Sequence, residues 1–76
     1  MPRYFFDVRQ SERLISDTEG EELADSDAVA REAALAAIHI AKELLNASRS
    51  TLAVEVRDEE GLKILRATVT LRVERL

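Results

Sequence analysis

The chain has 76 residues, one histidine, no cysteine, no tryptophan and a formal net charge of -4. These counts exclude a disulfide staple, a thiolate metal site and a cysteine nucleophile. The acidic balance argues against bulk nucleic-acid binding, which shows as surplus Lys and Arg.

Residues 3–9 read as a strand, because Tyr4, Phe6 and Val8 alternate with Phe5, Asp7 and Arg9. A polar turn at Gln10-Ser11-Glu12 leads into a short second strand, about 13–16, and the two make a hairpin. Asp17-Thr18-Glu19-Gly20 is a turn, weakly echoed by Asp58-Glu59-Glu60-Gly61. The spacing predicts a helix over 26–46. Asp25 or Ser26 caps it, Asp27 suits the positive end of its dipole, and Asn46 is a stop signal. Val29, Ala33, Ala36, Ala37, Ile40 and Leu44 form its apolar stripe, opposite Arg31, Glu32, His39, Lys42 and Glu43. A third strand spans 51–57, with Leu52, Val54 and Val56 on one face. A long fourth, about 62–74, puts Leu65, Ala67, Val69, Leu71 and Val73 on one face and Arg66, Thr68, Thr70, Arg72 and Glu74 on the other.

The order ββαββ implies an α+β domain over residues 1–76: two layers, one helix packed on a four-stranded antiparallel sheet. Spatial orders 2-1-3-4 and 1-2-4-3 both keep all neighbours antiparallel, and the first is preferred. Of the 35 apolar residues 11 are alanine, which leaves 24 larger ones for a core. A core of this size yields roughly 3–5 kcal/mol of net stability. Without disulfides, self-association is the natural reinforcement. No run of about 18 apolar residues is present to span a bilayer. Met1–Asp7 lacks the apolar stretch of a signal peptide, so the cytoplasm is the expected compartment.

Several blocks together resemble a family of short bacterial proteins of unknown function. They are the opening Pro2-Arg3-Tyr4-Phe5-Phe6-Asp7-Val8, then Asp17-Thr18-Glu19-Gly20 with Leu23 and Asp25, and the alanine-rich helix. Val54-Glu55-Val56-Arg57-Asp58-Glu59-Glu60-Gly61 and Leu71-Arg72-Val73-Glu74-Arg75 complete the match, which runs nearly end to end. The resemblance implies a free-standing bacterial domain and carries no activity, ligand or catalytic residue. Family members often place glycine or aspartate in the first hairpin turn, where this chain has Gln10-Ser11-Glu12.

No set of residues converges on catalysis. His39 has no serine three or four residues away on its helix and reads as solvated. Two isolated glycines cannot form a phosphate-cradling loop. Asp17, Glu19, Glu21, Glu22, Asp25 and Asp27 crowd together, but a calcium loop needs glycine in sixth place and here it comes fourth. They read as a solvated turn and a favourable helix start, so no cofactor and no metal is expected.

The sheet face away from the helix is more informative. Arg3, Phe5, Asp7, Arg9, Ala53, Glu55, Arg57, Arg66, Thr68, Thr70, Arg72 and Glu74 should lie there, five arginines against three acids. The plain reading is cross-strand Arg–Glu pairing on a wetted sheet. On the helix, Leu35 sits among polar residues and Ile38 and Leu45 lie at the border of the stripe. The expectation is a non-enzymatic interaction module that forms a homodimer through its sheet edge, open sheet face or helix, and the open face fits another protein partner equally well. Its candidate surface is Phe5, Arg57, Arg66, Arg72, Leu35 and Ile38. The alternative is a small regulatory protein that binds single-stranded nucleic acid through Phe5, Arg57, Arg66 and Arg72.

Overall fold

A computed structural model describes residues 1–44 and 49–76. The chain runs β1 (Arg3–Gln10), β2 (Arg13–Ile15), β3 (Glu21–Glu22), α1 (Ser26–Leu44), β4 (Arg49–Arg57) and β5 (Lys63–Arg72). The predicted α+β arrangement is present, with one addition, the two-residue strand β3. The sheet order is β2-β1-β4-β5, all antiparallel, with β3 pairing the outer side of β1 beyond β2. This is the preferred 2-1-3-4 order.

Each element follows from local chemistry. The loop between β1 and β2 is only Ser11 and Glu12, and Ser11 takes a φ of 55°. A positive φ at the first loop residue is what a tight hairpin turn of type II′ requires. Asp25 caps α1 through its Oδ1, which accepts from Ala28 N at 2.8 Å. The predicted stop signal at Asn46 and the border residue Leu45 lie outside the described residues.

α1 packs across β4 and β5. Val29, Ala33 and Ala37 from the helix meet Leu52, Val54 and Val56 from β4, all fully buried. Tyr4, Phe6, Val8, Leu65, Ala67 and Val69 close the cluster at its margins. Each buried valine or leucine stabilises by about 1.5–3 kcal/mol. Alanines on the helix let it sit low on the sheet, which keeps the particle only 17 Å thick along its shortest axis against 49 Å along its longest. Among the described residues no helix is long and apolar enough to cross a membrane.

One departure from strict alternation matters. Val56 pairs with Leu65 but Arg57 pairs with Lys63, so Ile64 is an extra residue in β5. This β-bulge turns Lys63 onto the open face, where a period of two would have put it under the helix.

Candidate interaction surface

The open face carries two buried acids side by side. Asp7 on β1 pairs directly with Glu55 on β4, and they are 6% and 3% exposed. Like charges opposite one another are unfavourable, and a buried carboxylate must be paired. The basic residues of this face do that work. Arg57 Nε donates to Asp7 Oδ2 at 2.9 Å. Glu55 Oε2 accepts from Arg66 Nε at 3.0 Å and from Arg9 Nε at 3.3 Å. Lys63, turned outward by the bulge, brings its Nζ to 3.3 Å from Glu55 Oε1. That pair is ionic only, since Oε1 has no hydrogen-bond donor. Burial pushes the Glu55 carboxyl up, but Lys63, Arg9 and Arg66 outweigh it and hold the group below its usual range. The face is basic because its buried carboxylates need partners.

The predicted surface residues separate into three groups. Phe5 and Arg57 are opposite one another, and the guanidinium carbon lies 4.6 Å from the centre of the ring. Arg57 also donates through Nη2 to the Asp17 carbonyl at 2.7 Å, so three internal partners hold it. Arg66 is fixed on Glu55 but its side chain stays 61% exposed. Arg72 stands at the far end of β5 and pairs with Glu74 at 2.6 Å. Leu35 and Ile38 project from the outer side of α1, both more than half exposed. Ile38 forms a shallow apolar groove of about 320 Å³ with Ala41, Lys42, Val69, Thr70 and Leu71, where α1 meets β5.

The segment from Asp17 to Gly20, expected to be a solvated turn, is instead tied to β1. The Asp17 carboxylate accepts Phe6 N at 3.1 Å through Oδ2, and Glu19 N and Gly20 N, both at 3.1 Å, through Oδ1. Asp17 N in turn donates to Asp7 Oδ1 at 2.9 Å. Burial raises the Asp17 carboxyl, but these amides and Arg57 more than offset it and leave it below the ordinary range. Gly20, at φ 73°, passes so close to β1 that a methyl group there would lie 2.9 Å from Phe5 Cε2, Arg3 Cγ and the Tyr4 carbonyl oxygen. The echoing turn is looser. Asp58 Oδ1 accepts Glu60 N and Leu62 N in the same way, yet nothing lies within 4 Å of a methyl group on Gly61. The signal for the difference was Asp7, a carboxylate inside a strand that needed a partner.

The two long sides of the sheet therefore differ. β1 is covered on its outer side by β2, by the Asp17 carboxylate and by β3 in turn. β5 is the opposite margin of the sheet, unbroken from Leu65 to Arg72. A family model described as Domain of unknown function (DUF6894) matches residues 3–70. The chain belongs to that family. No match was found among curated proteins, and none among solved structures. This member of DUF6894 thus has one covered sheet margin and, among the described residues, one bare one.

Proposed function

We propose that the protein is a small non-enzymatic interaction module that self-associates through the β5 edge and the adjoining face of α1. The observation that carries this reading is the unbroken margin of β5 beside the groove of Ile38, Val69 and Leu71. An edge strand presents unpaired N–H and C=O groups, and proteins normally blunt such edges with prolines, bulges or short strands. From Leu65 to Arg72 none of these occurs. A thin core and the absence of disulfides supply the motive, since a second copy would cover apolar surface the monomer leaves wet. The expected setting is the bacterial cytoplasm.

The nucleic-acid alternative is less well supported, because stacking needs a free aromatic face and Phe5 already carries the Arg57 guanidinium on its ring. Sedimentation of the full chain at micromolar concentration tests the proposal. A dimer mass is expected, and a strictly monomeric mass over that range would end it.

A further inference from the structure

We propose that two copies pair β5 to β5 in one register, with the two-fold axis at Thr70. This rests on the self-association reading and adds the geometry of the contact. In an antiparallel pair, opposed residues share a face of the sheet. A two-fold through residue c therefore opposes i with 2c minus i, and both helices end up on the same side.

Charge selects among the registers. An axis at Val69 would oppose Arg66 with Arg72 twice, and an axis at Arg72 would oppose that arginine with itself. Within residues 63–75, axes at Ala67, Thr68 and Leu71 oppose no charged pair of opposite sign. An axis at Thr70 opposes Arg66 with Glu74 twice and Thr68 with Arg72. The groups needed are available. Glu55 takes Nε and Nη2 of Arg66, which leaves Nη1, and Arg72 takes Oε1 of Glu74, which leaves Oε2.

Apolar shape selects the same axis independently. The groove between α1 and β5 is lined by Val69, Thr70 and Leu71, so it is centred on Thr70. With the axis there, the grooves of the two copies merge, Val69 faces the partner copy's leucine at 71, and Ile38 of each helix closes the channel from above. Lys42 also borders the groove, and a lysine stem can cover apolar wall while its ammonium stays in water. Val73 and Glu74, which follow β5, become strand when the copies pair.

The chain has no cysteine, so a single introduced thiol reports the register without interference. In the full chain, Thr70→Cys places two thiols across the axis, within the Cα separation of about 4.4–6.8 Å that a disulfide spans. Thr68→Cys places them about 13 Å apart along the strands. Under mild oxidation Thr70→Cys is expected to give a covalent dimer on non-reducing gels and Thr68→Cys to stay monomeric. Glu74→Arg, an exposed change, is expected to weaken the dimer about ten-fold by sedimentation, since two attractive cross-strand pairs become repulsive. A dimeric protein in which Thr68→Cys cross-links instead, or in which neither variant does, overturns the register and leaves self-association standing. An unsubstituted chain that is monomeric overturns both.

Discussion

The two margins of this sheet are built on opposite plans. Along β1, no stretch of exposed backbone is long: β2 pairs three residues, Asp17 takes the Phe6 amide, and β3 pairs two more. Along β5, the strand is ten residues, with its only irregularity at Ile64 near the start. Two short strands and the Asp17 side chain hold the first margin shut, and none of the described residues pairs the outer side of the second. The lesson is that edge protection is a local construction. One aspartate and one glycine deliver it on one side, and their absence on the other is what recommends that side for a partner.

The largest effect should come from dismantling the closed margin. Asp17→Ala strands three backbone amides and is expected to cost about 3 kcal/mol. In a domain of this size that lowers the melting temperature by roughly 12 °C or more in a thermal scan. A change under 3 °C would mean that Asp17 does not hold the margin. Gly20→Ala should be comparably harmful, roughly 2–4 kcal/mol from backbone strain and overpacking. Gly61→Ala, with open space around it, should cost only the strain, about 1–2 kcal/mol. Equal losses from the two glycines would remove the distinction between the turns.

Acid should attack the same region. Asp17 and Glu55 are both held below their ordinary range, so they bind fewer protons folded than unfolded. Their contribution is complete above the unfolded values of about 4 and is lost as pH falls through the lower folded values. Chemical denaturation at a series of pH values should show stability flat near neutrality and falling below about pH 4. Stability that rises on acidification would contradict the pairing described for these carboxylates.

Smaller effects probe the open margin and the hairpin. Ile38→Glu, at a position 55% exposed, should change monomer stability by less than about 0.5 kcal/mol while weakening the dimer several-fold. Loss of monomer stability without loss of association would move Ile38 out of the contact. Ser11→Gly should stabilise by about 0.5 kcal/mol, because glycine relieves the left-handed backbone and the gain exceeds its entropic cost. Urea titration measures that difference.

Much of the architecture was legible because it rests on two short-range periodicities. The period of two put Tyr4, Phe6, Val8, Leu52, Val54 and Val56 on the helix side, and they are there. The helical spacing placed Val29, Ala33 and Ala37 together, with Leu35 and Ile38 exposed. Other features depend on residues far apart in sequence. Arg57 covers Phe5 across 52 positions, and Asp17 reaches back to Phe6. β3 is two glutamates with no apolar pattern, positioned by the preceding turn and not by its own composition. Lys63 was hidden by the bulge, which reverses parity at one residue and leaves no mark in composition.

That bulge also divides the chain by its tolerance to changes in length. Ile64 acts as a phase slip between the Asp58–Gly61 turn and the strand that follows. Deleting it would restore strict alternation and leave Lys63 on the open face, still opposite Arg57. Adding or removing one residue inside Leu65–Arg72 is different in kind: from that point onward the arginines would swing beneath the helix and the valines into water. Insertions and deletions should therefore accumulate before Leu65 and be purged after it.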